Sequence, residues 1–405
     1  MRKLWAATGV AALVASLLLT GPAALGATPS DAGTERGSIW MQRNDPDPAT
    51  YYIVNADGTL LAIDPYLGYG VGVWEPSGER SLSSVLVFAD VDSTLATTTP
   101  GVATFRSEMT LDETSETASA ESSWTLEPAD GSTPTSGSGT LPAMTRLWLA
   151  PMPPEATMAA PPDPGWQPVL SPGAGGGGIG LEGYDPPNHN VLHPDGTMFS
   201  FNAWVGPGVG LGWPIDDTSA LFTIWFTEWD PDDRPLVGEG IDYMDGTHSK
   251  SRYGTSAGYT DFGSSSYMRL EAPDGTPLAS PDPALWPERG SAWIERHADR
   301  APGLMLVWAD GTVLHIDPGL GTGLGLWQPT AEGTAPVAIR YNSSYPNGRY
   351  NTMPGVADLV GEMTIDDAAA TLTTTYGVKY GGARKAGDPS GTMVADRIQL
   401  EPTVP

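Results

Sequence analysis

The sequence predicts an all-β protein built from three tandem antiparallel β-barrels, and three observations carry that reading. The stretch 57–76 (D-G-T-L-L-A-I-D-P-Y-L-G-Y-G-V-G-V-W-E-P) returns without gaps at 195–214 and 310–329, and repetition at that length marks tandem homologous domains. Glycine (50) and proline (39) are abundant while charged residues make up only 17% of the chain, which suits turn-rich strands. Apolar residues show no sustained 3.6- or 3.5-residue spacing, so long helices are not expected.

Taken in chain order, residues 1–27 read as a secretory signal. Arg2 and Lys3 form the basic start, 4–19 the apolar run, and Ala24-Leu25-Gly26 a small-residue cleavage site. That site favours cleavage over an uncleaved anchor. No later segment reaches bilayer-spanning length, so a secreted protein with no membrane span is expected. Residues 28–36 read as a disordered mature N-terminus. The first barrel repeat is placed at 37–150, a Pro/Gly-rich linker at 151–182, a divergent second repeat at 183–298 and a third at 299–405. The short junction between the last two predicts that they pack as a pair, with the first more loosely tethered.

Each repeat opens on a hairpin turn: Asp57-Gly58, Asp195-Gly196, Asp310-Gly311. A type I turn with glycine in the left-handed position closes such hairpins. A glycine ladder follows: Gly70 and Gly72, Gly208 and Gly210, Gly323 and Gly325. Alternate residues of a strand share a face, so one face there is bare backbone, able to coil sharply or admit another backbone closely. Trp74 and Trp327 end the ladder in the outer copies; in the middle one the tryptophan has slipped to Trp213. Each repeat is expected to end on a strand bearing Arg146, Arg296 or Arg397. An arginine stacked on Trp74 or Trp327 would plug a barrel end by a cation–π contact. The segment G-S-I-W-M-Q-R at 37–43 matches G-S-A-W-I-E-R at 290–296, giving four boundary strands for three repeats; such a strand is expected to serve as first or last in a closed sheet.

The formal charge of −28 argues against nucleic-acid and anionic-lipid partners. Absence of cysteine excludes disulfides, thiolate metal sites and a cysteine nucleophile. The G-x-G-x-G pattern lacks nucleotide-loop spacing and leads into Trp-x-Pro rather than a helix. His189 and His193 share a strand face and with Asp195 suggest a metal site, but neither recurs in the other copies and strand-edge histidines are favoured. The acidic runs 45–47, 230–233 and 242–245 do not match a calcium loop. Glu108 and Glu362 recur in two repeats, as structural residues do, and no serine-nucleophile motif is present. No catalytic residue, metal or cofactor is therefore assigned. Aromatic residues concentrate in the middle repeat, where Trp204, Trp213, Trp225, Trp229 and Tyr243 form the candidate ligand-binding set.

Gly72-Val73-Trp74 with Arg146, and Gly325-Leu326-Trp327 with Arg397, resemble the Gly-x-Trp and last-strand arginine of calycin-type barrels, the lipocalin-like and allene-oxide-cyclase-like proteins. That resemblance implies a barrel holding a small apolar molecule; its cyclase branch implies an isomerase acting by positioning. The leading expectation is a non-enzymatic exported binder of a small apolar or sugar-like ligand at the middle repeat. The alternatives are a structural or adhesive repeat protein with filled barrels, then a cofactor-free cyclase. A cavity would favour binding, and solid interiors would argue against it. The oligomeric state is not set by the sequence.

Overall fold

The computed structural model describes residues 37–44, 47–89, 101–128, 131–148, 169–174, 187–193, 195–202, 206–216, 219–229, 235–244, 248–255, 258–266, 283–297, 301–318, 320–342, 356–380 and 390–400. The signal-like segment 1–27, the stretch 28–36 and the acidic runs at 45–46 and 230–233 lie outside them. No helix among the described residues is long and apolar enough to cross a membrane.

The protein is all-β, with two closed eight-stranded antiparallel barrels at its ends. The first comprises β1 (Ser38–Asn44), β2 (Asp47–Val54), β3 (Thr59–Asp64), β4 (Gly68–Gly78), β5 (Ser81–Ala89), β6 (Gly101–Leu111), β7 (Thr117–Pro128) and β8 (Thr135–Leu147). Each strand pairs with the next, and β1 closes on β8 at Trp40↔Arg146. The middle repeat contributes β9 (Val169–Ala174), β10 (Pro187–Leu192), β11 (Thr197–Asn202), β12 (Gly206–Asp216), β13 (Ser219–Trp229), β14 (Pro235–Met244), β15 (His248–Thr255) and β16 (Gly258–Ser266). Strand β9, inside the expected linker, pairs with β10 from Val169 to Ala174 and meets β16 at the single pair Ser265↔Gly173. The last barrel comprises β17 (Ser291–Glu295), β18 (Gly303–Val307), β19 (Thr312–Asp317), β20 (Gly321–Trp327), β21 (Thr334–Asn342), β22 (Val356–Asp366), β23 (Thr371–Tyr380) and β24 (Ser390–Arg397), with β17 closing on β24 at Trp293↔Arg397.

The duplicated boundary strand is thus first in both closed rings. The segment at 290–296, assigned above to the end of the second repeat, instead opens the third. Its register with β18 and β24 decides this, and its last residue, Arg296, which follows β17, is not a closing-strand residue.

Local geometry follows the repeat. Gly58, Gly196 and Gly311 have φ of 87°, 86° and 92°, the left-handed conformation that the hairpin turn requires. The bare face of the ladder points into the barrels. A Cβ on Gly72 would sit 1.9 Å from the Val85 carbonyl oxygen, and one on Gly325 2.2 Å from that of Ala338. Gly70 and Gly323 leave room for the rings of Phe88 and Tyr341, their cross-strand partners.

The dressed face builds a core between the repeats. Ile53, Leu61, Val71 and Val87 of the first, Val191, Phe199 and Val209 of the second, and Leu304, Leu306, Trp308 and Leu324 of the third form one apolar cluster, distinct from the barrel interiors. The contacts are cyclic: β1 and β2 pack on β12 and β13, β9 and β10 on β20 and β21, β17 and β18 on β4 and β5. Each repeat offers its first two strands to the fourth and fifth of another. A head-to-tail contact of this kind closes when its rotation completes a ring. The first repeat is therefore not loosely tethered but touches both others, because its outward valines and isoleucines supply a share of the common core.

Candidate functional site in the barrel interiors

The barrel ends at the Asp-Gly-Thr turns are closed by structural contacts. Trp74 Nε1 donates to the Asn55 carbonyl at 2.8 Å and Trp327 Nε1 to that of Trp308 at 2.9 Å. The closing arginines do not stack on these tryptophans, as expected above, but on the first-strand indoles. Arg397 lies 4.6 Å over Trp293, and Arg146 lies 5.9 Å from Trp40 and 4.3 Å from the exposed Trp148. The seam pairing of first and last strands puts each arginine directly opposite its tryptophan.

The three repeat aspartates are junction residues. One oxygen of each binds the Thr two places on: Asp57 Oδ1 accepts from Thr59 N at 3.0 Å and Oγ1 at 2.7 Å, and Asp195 and Asp310 repeat this with Thr197 and Thr312. The other oxygen crosses to the next repeat. Asp195 Oδ2 accepts from Ala56 N at 2.8 Å, Asp57 Oδ2 from Ala309 N at 2.9 Å, and Asp310 Oδ2 contacts His193 Nδ1 at 2.6 Å. Burial pulls His193 toward neutrality. The Asp310 carboxylate, with Asp195 and Asp57 behind it, outweighs that pull and raises the His193 pKa. His193, weighed above as a metal ligand, is therefore committed to a structural ion pair.

The opposite end is where the closed barrels differ. Strand β3 runs from Thr59 at the turn to Asp64, and β1 pairs Gln42 with Thr50, so the far end of the first barrel gathers Gln42, Asn44, Thr50, Tyr52 and Asp64. They form one chain of hydrogen bonds. Tyr52 donates to Gln42 Oε1 at 3.0 Å, Gln42 Nε2 to Asn44 Oδ1 at 2.9 Å, Asn44 Nδ2 to Thr50 Oγ1 at 3.1 Å, and Thr50 Oγ1 to Asp64 Oδ2 at 2.6 Å. Burial, reinforced by the Asp64 carboxylate, pushes the Tyr52 phenol well up and keeps it a donor. Below this chain lies a cavity of about 130 Å³ walled by Leu60, Leu86, Phe88, Phe105, Met109 and Met144, with Gln42, Tyr52 and Asp64 toward this end and Ser84 and Ser107 also in its lining.

In the third barrel the same end is ionisable. Shifting by the interval from Asp57 to Asp310 brings Glu295 to the place of Gln42, His297 to Asn44, Gly303 to Thr50, His315 to Ala62, Asp317 to Asp64 and Tyr341 to Phe88. Trp293, Met305, Tyr341, Met363 and Met393 fill the interior beneath. His315, 1% exposed, contacts Tyr341 Oη through Nδ1 at 2.5 Å. Its Nε2 lies 3.6 Å from Glu295 Oε2 and makes no hydrogen bond.

Of the aromatic set assigned to the middle repeat, Trp225 is half-buried against the shared inter-repeat core, so it packs between barrels rather than offering a platform. Trp204 lies outside the described residues. For Trp213, Trp229 and Tyr243 the backbone alone is described, paired with Leu221, Pro235 and Ser219. Sequence reasoning missed the cluster around His315. Its signal was present in the repeat comparison, where Ala62, Ser200 and His315 occupy one position. Against known proteins, the chain matches no family model, no curated protein and no solved structure.

Proposed function

We propose that this is an exported, non-enzymatic binding protein for a small, largely apolar molecule, built of three calycin-like barrels with the middle repeat closing as the third. The pocket in this reading is the first barrel rather than the middle repeat. The observation that carries it is the cavity of about 130 Å³, its lining mostly apolar with Gln42, Tyr52 and Asp64 among its polar residues. Size sets the ligand class. Apolar cavities of about 150 Å³ take up benzene, whereas drug-sized ligands need about 300 Å³ or more. A compact ring or branched chain with one polar group meeting Gln42, Tyr52 or Asp64 fits; a lipid tail or a disaccharide does not. Signal-like features at 1–27 support export.

The test is titration of the full mature chain with phenol- and indole-sized compounds and with fatty acids, followed by Trp40 and Trp74 fluorescence and calorimetry. Saturable binding of the small compounds, lost on filling the cavity by Ala120→Phe, whose β7 side chain lines it, is the expected result. No response to any member of the panel, or binding unchanged by Ala120→Phe in a folded variant, would refute it.

A further inference from the structure

We propose that Glu295, His315 and Asp317 form a binding site for a divalent transition-metal ion at the far end of the third barrel. Among the described residues these three buried side chains bring ligand-type atoms within 4.8 Å of one another. The second observation is independent of that clustering: His315 Nε2, on a ring 1% exposed, has no hydrogen-bond partner and faces the Glu295 carboxylate at 3.6 Å. A tetrahedral ion with bonds of about 2.1 Å holds its ligand atoms about 3.4 Å apart. The His315–Glu295 separation is already close to that value, and an Asp317 carboxylate oxygen lies within 4.8 Å of both.

The surroundings fit a metal better than a plain ion pair. Tyr341 Oη engages Nδ1 of His315 and so orients the ring with Nε2 toward the carboxylates, the support that metal-bound imidazoles commonly have. His297 Nε2, 3.1 Å from Glu295 Oε1 without hydrogen-bond alignment, stands next to the set. Asp317 Oδ1 accepts from Leu320 N at 2.8 Å, which holds the carboxylate in place. Gly303 leaves the space: a Cβ there would lie 3.1 Å from Glu295 Oε2 and 3.4 Å from His315 Nε2. In the first barrel the same position is Thr50, whose hydroxyl completes a hydrogen-bonded chain that runs to Asp64. The third barrel replaces two amides by a carboxylate and an imidazole, removes that hydroxyl and adds a histidine. The imidazole in the donor set favours zinc, and cobalt as its spectroscopic substitute, over calcium or magnesium, which take oxygen ligands.

The experiment uses the full mature chain, purified without a polyhistidine tag and stripped with chelator. Zn²⁺ is titrated calorimetrically and Co²⁺ by visible absorption. One ion per chain is expected, with visible Co²⁺ bands and a melting temperature raised by Zn²⁺ and lowered again by chelator. His315→Ala should weaken binding by about 100-fold or more, and Gly303→Ser by about 10-fold; circular dichroism reports whether each variant is folded. If a variant does not fold, the unmodified chain still decides through stoichiometry and melting. Absence of Zn²⁺ and Co²⁺ uptake by the unmodified chain, or uptake retained in folded His315→Ala, overturns the assignment.

Discussion

His193 Nδ1 lies 2.6 Å from Asp310 Oδ2, and this contact takes the place that a backbone amide holds at the other two junctions. Ala56 N and Ala309 N donate to Asp195 and Asp57. The corresponding residue of the middle repeat is Pro194, which has no amide hydrogen, and the preceding side chain supplies the missing partner. One loss and one gain in adjacent residues keep the three-way junction closed.

Replacing His193 should therefore destabilise the whole chain. His193→Asn leaves the buried Asp310 carboxylate without its cation, a loss of about 3–5 kcal/mol. Adding Pro194→Ala restores the Asn-Ala sequence of the first repeat and an amide donor, and should recover most of it. Urea unfolding of the single and double variants measures both steps; equal stability for the two would show that the amide is not the replacement.

The same pair sets a pH dependence. The folded pKa of His193 is raised above its ordinary value of about 6.5, so its stabilisation is complete below that value and lost as pH rises through the folded pKa. Asp310 is held low: burial raises it, but His193 and Thr312 prevail. Its contribution is present above the ordinary carboxylate value and lost as pH falls through the depressed one. Asp57, raised chiefly by burial, acts oppositely in the acid range, since ionising it in the folded state is disfavoured. Melting temperature should therefore decline on the alkaline side in the parent and stay flatter there in His193→Gln.

The glycine ladder should be intolerant where it meets backbone. Gly72→Ala sets a methyl against the Val85 carbonyl and should cost about 3 kcal/mol or more. Gly139→Ala, on β8 with open space around its Cβ position, should change stability by less than about 0.5 kcal/mol. Thermal unfolding of the two variants side by side makes the comparison; similar losses would contradict it.

At the seam of the third barrel, Arg397→Met should cost about 1 kcal/mol through loss of the contact over Trp293. Trp327→Phe in the Arg397→Met background should be additive, because Trp327 binds the Trp308 carbonyl and not this arginine. A double-mutant cycle in urea reads the coupling directly.

Much of the fold was legible because it is local and repeated. The Asp-Gly-Thr turns, the alternating glycines and the strands around them are short-range consequences of backbone preference, written three times over. Barrel ends were less legible. The arginine partner, Trp293 rather than Trp327, depends on which strands meet at the seam, and the strand carrying Trp293 was assigned to the wrong repeat. The cluster at the far end of the third barrel was hidden for a related reason. Glu295 sits on β17 and His315 on β19, and only the pairing of both with β18 turns them toward one another.

The sequence by itself determined the class, three β-rich repeats with fixed turns and a bare-faced strand, because glycine conformation and pleat alternation act within a few residues. Tertiary structure alone decided three other things. The boundary strand is first in its ring, the repeats share one core through a cyclic contact, and one interior is hollow where the other gathers a histidine and two carboxylates. Each of these depends on pairing between residues far apart in the chain, whose register is set by ring closure and by packing of the outer faces.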